Sequence, residues 1–177
     1  MNAITIALDL ARLRGHPIKD YTFPFWQAVI LLTFIGISYG LDPSIGIPLI
    51  YAIILGVLIY WSWYWVCNFV ISWWLKRSKL WDGRGALSRV IIASWGIDIL
   101  LPFLGLMGIP GLLLIPLWLY TLWVMVNAIS HATGVSKGSS IIACLAALLV
   151  YLFTLGMLAA ITIVALVMSG IFPAVNS

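Results

Sequence analysis

Apolar residues run through this chain in five blocks, parted by short polar or Gly/Pro-rich breaks. From Phe23 to Gly40 eighteen residues pass without a charge, enough for a slightly short crossing of a hydrocarbon core roughly 30 Å thick. The second block, Ile47 to Leu75, is about 43 Å long as a helix, so it is expected to tilt or to emerge from the bilayer. Val90–Met107, Leu112–Ile129 and Ile141–Ser169 supply three more. No block shows the alternation of a barrel strand. The pattern predicts an all-α integral membrane protein. Its expected form is a five-transmembrane-helix bundle over residues 23–177, with spans at about 23–40, 47–75, 90–107, 112–129 and 141–169.

Residues 1–22 read as a separate amphipathic or interfacial segment. Ile4, Leu8 and Ala11 share one helical stripe, with Asp9 and Arg12 outside it, which suits a short helix on the membrane surface; a frayed terminus is the alternative. Gly15, Pro17 and Pro24 break that helix, and Phe23, Phe25 and Trp26 form an interfacial anchor. Gly36-xxx-Gly40 is a close-packing pattern of weak specificity. Two variations stay open: spans three and four as a re-entrant pair, and a kink in span five at Gly156.

Composition agrees with the pattern. The chain is 64% apolar and 8% charged, against about a quarter charged in soluble domains. Its nine Lys and Arg orient it: Arg12, Arg14 and Lys19 precede span one, Lys76, Arg77, Lys79, Arg84 and Arg89 lie between spans two and three, and Lys137 lies between spans four and five. All fall on one side, which the positive-inside rule makes cytoplasmic, with the amino terminus inside and the carboxyl terminus external. The LDPSIGIP and GLMGIPG connections and the FPAVNS tail carry no Lys or Arg and are expected outside. No removable signal peptide is expected. The basic excess serves topology and attracts anionic headgroups; nucleic acid is excluded as a partner. The basic connection and the His131–Lys137 connection are expected to converge as a cytoplasmic recognition face comprising Lys76, Arg77, Lys79, Arg84, Arg89, His131 and Lys137.

Material for catalysis is scarce. There are two histidines and five acids, all aspartates, and no phosphate loop, HExxH, GxSxG or paired-carboxylate arrangement, so a non-enzymatic protein is expected. No cofactor or metal is expected, though bound lipids are. Cys67 and Cys144 lie in apolar runs without CxxC spacing and read as core residues. Asn127 and His131 share a helix face; His131 near a helix carboxyl end is expected to satisfy free carbonyls. The run YWSWYWVCNFVISWW points to packing and interfacial anchoring rather than to a pigment or quinone site, with Trp61, Trp65, Trp73 and Trp74 as lateral contacts. Asp98 stands near the centre of span three, where an ionised carboxylate costs at least ~2.5–3.5 kcal/mol. It is expected to face the bundle interior, protonated or accepting hydrogen bonds from Ser94, Asn68 or Thr154, with Pro102 opening the helix at residue 98. A buried polar clasp is the preferred role; a proton or ligand site is the alternative.

From Gly83 to about Leu148 the chain resembles the Yip family of five-span membrane proteins, named for interaction with Ypt and Rab small GTPases. The resemblance rests on GRGALSRVIIAS (Gly83–Ser94), Pro102, Pro110–Gly111, Trp118 and AISHATGVSKGSS (Ala128–Ser140). It implies a five-span fold. Eukaryotic relatives carry a longer hydrophilic amino-terminal segment; with about twenty residues ahead of span one, a Rab-type GTPase is a doubtful partner here. A compact chain of this kind looks more like prokaryotic members, which implies the cytoplasmic (inner) membrane. The expected function is a scaffold or accessory subunit of a larger membrane complex, in contact with lipids and other membrane-protein subunits. The alternative is a small oligomeric transporter or channel component using Asp98.

Overall fold

A computed structural model describes residues 2–41, 48–79, 81–109 and 111–168. Most of the LDPSIGIP connection, Pro110 of the second turn and the FPAVNS tail lie outside the described residues. The chain forms α1 (Ala3–Ala11), a 3-10 turn at Ile18–Asp20, α2 (Phe25–Gly40), α3 (Leu49–Arg77) and α4 (Leu87–Ser94). A 3-10 segment at Trp95–Ile99 follows, then α5 (Leu100–Leu106), α6 (Gly111–Thr133) and α7 (Lys137–Met168). Among the described residues there is no strand. Among the described residues four helical stretches are long and apolar enough to cross a membrane: α3, the continuous run Leu87–Gly105, α6 and α7. The apolar α2 has sixteen residues, about 24 Å.

The run Leu87–Gly105 is the centre of the bundle. In the apolar core of this stretch 61% of the residues are buried, against 17% in the apolar core of α3 and 28% in that of Lys137–Met157 of α7. On it pack α1, α2, α3 and α6, while α7 closes against α3 and α6. Ile91 and Ile92 from the centre meet Leu32, Ile71 and Met125 in one core, all nearly inaccessible to solvent.

Glycines bring α2 and α3 together. A methyl group added at Gly36 would lie 2.7 Å from the Cα of Val57, and one at Gly56 would strike the carbonyl oxygen of Gly36. The two backbones therefore touch, as small-residue interfaces allow.

The amino-terminal segment is helical, and the face it turns to the bundle is not the Ile4–Leu8 stripe. Ile6 and Leu10 are fully buried against the bundle, while Ile4 and Leu8 are exposed. The small residues decide the docking face: Ala7 sits against Gly96, where a side chain would not fit. Asn2 caps the helix through Thr5 N–H at 2.8 Å, and Ala3 N–H donates to Gln27 Oε1 at 3.0 Å. At the other end Tyr120 donates to the Ala11 carbonyl at 2.6 Å and Asn127 to the Leu13 carbonyl at 3.2 Å.

At the centre the helix departs from α geometry around residue 98, where the sequence expects it to open. The break in the third apolar stretch lies at Trp95–Ile99, and α-helix resumes at Leu100, so Pro102 occupies the first turn of α5. A proline there needs no partner for its missing N–H. In α7, helix continues through Gly156.

Candidate functional site

Asp98 is the acidic group inside the bundle, 7% exposed, on the 3-10 segment. It lies near Thr121 of α6, Tyr39 of α2 and Tyr60 of α3. Tyr39 and Tyr60 have ring centroids 4.8 Å apart, Tyr60 meets Trp95 edge-on, and Trp63 stacks on Trp95 at 6.0 Å. Trp63 also packs on Tyr151 of α7 at 4.6 Å, so aromatic rings tie three outer helices to the central one. Asp98 Oδ1 has no hydrogen-bond partner among the described residues.

The partners expected from sequence are not those found. Ser94 is buried beside this layer, but its hydroxyl donates to the Ile91 carbonyl at 2.7 Å. Asn68 is half-buried two turns along α3 from Tyr60, and its backbone carbonyl accepts from Ser72. Thr154 is exposed and donates to the Val150 carbonyl at 2.8 Å. Thr121, Tyr39 and Tyr60 were missed because contacts across helices leave no trace in local spacing. The Gly36-xxx-Gly40 face was the signal that placed Tyr39 against α3.

The tryptophans divide. Trp65 and Trp73 point outward and are 61% and 47% exposed. Trp61 turns inward toward α2, donating to Thr33 Oγ1 at 3.3 Å, and Trp74 packs against the core. Cys67 and Cys144 are free and buried.

At the basic end, three segments meet around a cleft of about 440 Å³. Ile18 and Lys19 come from the amino-terminal segment, Trp81, Asp82, Arg84 and Gly85 from the basic connection, and Ala132 and Thr133 from the end of α6. Gly83 and Gly85 take positive φ values of 78° and 88°, a conformation that favours glycine, and so fold the connection back over the helix ends. Lys76 covers Trp81 at 5.7 Å, Arg77 covers Trp73 at 5.2 Å, and Lys137 covers Trp123 at 5.6 Å. Arg84 is exposed, 3.7 Å from Asp82, and Lys79 is exposed on the connection.

Two residues of the expected face also make packing contacts. Arg89 Nη1 donates to the Tyr21 carbonyl at 3.1 Å with its guanidinium over Phe23, which holds the amino-terminal segment to α4. The His131 ring lies against Gly15, where any side chain would collide with it, and among the described residues it makes no hydrogen bond to a helix-end carbonyl. The α6 end is closed by Gly134, at φ 73°, whose N–H donates to the Ser130 carbonyl at 2.9 Å. His16 Nε2 lies 3.3 Å from Asp9 Oδ2, out of line for a hydrogen bond. The Tyr21 phenol beside it is buried without a partner among the described residues, and burial pushes its pKa up.

Among the described residues no three His, Cys, Asp or Glu side chains gather to hold a metal. The arrangement offers one buried carboxyl in an aromatic layer and one cationic cleft suited to an anionic group. No family model, curated protein or solved structure matches the chain.

Proposed function

We propose that the chain is a Yip-like, five-span, non-enzymatic membrane protein acting as a scaffold or accessory subunit of a larger membrane complex. One observation carries this reading: along α3 and Lys137–Met157 of α7 most large apolar side chains are exposed, while among the described residues the charged groups singled out above are Asp98 and those of the basic end. Such surface packs against lipid or partner helices. In this reading α2 is the fifth span, the basic end faces the cytoplasm of a prokaryotic inner membrane, and the cleft around Lys19 and Arg84 contacts partners or anionic headgroups. Purification in mild detergent, with mass spectrometry of what travels with the chain, tests it. A stoichiometric membrane-protein partner supports the reading, and a monodisperse monomer carrying only lipid counts against it.

The orphaned Oδ1 of Asp98 favours a second reading, a small oligomeric transporter or channel component with Asp98 as its proton or ligand site. Loss of a transport phenotype in Asp98→Asn with assembly intact would select it.

A further inference from the structure

The cleft at the basic end lies where the amino-terminal segment, the basic connection and the end of α6 meet, and Lys19 and Arg84 are in its lining. We propose that it holds the phosphate of one anionic phospholipid, gripped by these two side chains. The inference rests on the membrane-embedded reading above, and of the two contacts proposed there for the cleft, partners or headgroups, it selects the headgroup.

Charge selects a phosphate. Lys19 is exposed and in no ion pair among the described residues. Arg84 meets Asp82 only at 3.7 Å, across a pair in which both side chains are mostly in solvent, and such pairs contribute little. Asp82 also lines the cleft, but its Oδ1 already accepts from the Arg84 N–H at 2.8 Å. Asp20, next to Lys19 in sequence, is not part of the lining. Lys76, over the Trp81 ring, adds positive charge behind that wall, so the field at the cleft favours an anion. Depth identifies where the anion comes from. With 23 residues α6 is about 34 Å long, slightly more than a hydrocarbon core of roughly 30 Å, so Ala132 and Thr133 at its end stand at headgroup level. Both line the cleft. Trp73, one turn before the end of α3, is exposed with the Arg77 guanidinium over its ring, an aromatic and a cation where interfacial anchors sit.

The fold sets the two cations in place. Trp81 Nε1 donates to the Arg84 carbonyl at 3.1 Å while Asp82 accepts from the Arg84 N–H, so the backbone at position 84 is pinned from both sides and its side chain is left in solvent. Gly85 lies against Ile18, where an added methyl group would come within 2.8 Å of Cδ1. The connection therefore docks on the amino-terminal segment and brings position 84 to position 19. The hydrogen bond from Arg89 to the Tyr21 carbonyl fastens the same two segments.

The test uses the delipidated full chain in detergent, titrated with phosphatidylglycerol or with phosphatidylcholine of identical acyl chains and read by native mass spectrometry. The first phosphatidylglycerol should bind roughly thirtyfold more tightly than the first phosphatidylcholine, about fivefold for each of the two cations. Lys19→Gln and Arg84→Gln should each lower that preference about fivefold and together abolish it, with thermal stability unchanged because both side chains are solvated. Replacing Arg12 and Arg14 together by Gln, at exposed positions outside the lining, should leave it intact. An equal loss in that control, or a preference that survives the loss of Lys19 and Arg84 together, overturns the site. Glycerol phosphate should displace the bound lipid only in large excess; displacement at equal concentration assigns the cleft to a free phosphate and overturns the lipid source. Carbonate extraction, run alongside, separates the two levels: release from the membrane sinks the membrane reading, and a retained chain without the headgroup preference sinks the cleft site alone.

Discussion

Arg89 and Tyr21, sixty-eight positions apart, are joined by a guanidinium-to-carbonyl hydrogen bond of 3.1 Å, and the same guanidinium lies over Phe23. A residue that the charge pattern assigns to a recognition face is thus a clamp between the amino-terminal segment and the central helix. Replacing Arg89 by Ala should destabilise the chain by about 1.5–3 kcal/mol, the range for a hydrogen bond to a charged group. Lys keeps the charge without the fork and should recover only part of this. Arg84→Gln, at a fully solvated ion pair, should change stability by less than about 0.5 kcal/mol. Thermal unfolding in detergent distinguishes the two.

Contact between Gly36 and Gly56 makes a second prediction. Gly56→Leu should destabilise by about 1–3 kcal/mol through overpacking, because the obstructing atoms belong to backbone and cannot step aside. Gly156→Leu, where an added methyl group meets nothing within 4 Å, should be tolerated. Equal losses in both variants would show that the α2–α3 contact is not what the larger side chain disturbs.

For Asp98, Asn keeps the shape and hydrogen-bonding capacity and should assemble normally. Leu should loosen the bundle by about 1–2 kcal/mol. If neither change alters stability while a cellular phenotype disappears, a polar clasp is the wrong account and a proton or ligand site the right one.

The buried phenol of Tyr21 gives a pH prediction. Its pKa is raised on folding by burial, so the folded chain keeps a proton that the unfolded chain loses above about pH 10. The stability tied to the neutral phenol is therefore fully present below about pH 10 and declines as pH rises beyond it. Tyr21→Phe should flatten that decline relative to wild type. It should cost at most about 1 kcal/mol at neutral pH, since the hydroxyl approaches the His16 backbone without meeting it in hydrogen-bond geometry. A clear loss at pH 7 would mean the hydroxyl is engaged.

Orientation is open to chemical labelling, because Cys67 and Cys144 are buried and give little background. A cysteine in place of Met107, which is 77% exposed, should react with a membrane-impermeant reagent from outside, and one in place of Ser78 should not. The reverse pattern contradicts the positive-inside orientation.

Unbroken apolar runs determined the helical class and the approximate extent of α3, α6 and α7, because backbone polar groups in an apolar environment must be satisfied within the segment itself. Gly36 and Gly40 also announced a close contact. Sequence could not say which helix would be central, since blocks of similar hydropathy look alike until one of them is surrounded. Nor could it choose between the two apolar faces of α1: Ile4 and Leu8 form as good a stripe as Ile6 and Leu10. The choice fell to the Ala7 methyl meeting Gly96, a fit between two small residues eighty-nine positions apart. The same holds for Asp98, whose burial followed from its cost in an apolar layer, while its neighbours Thr121, Tyr39 and Tyr60 came from three different helices. Local periodicity fixes what each segment must hide. Only the packing of all segments decides against which neighbour it is hidden.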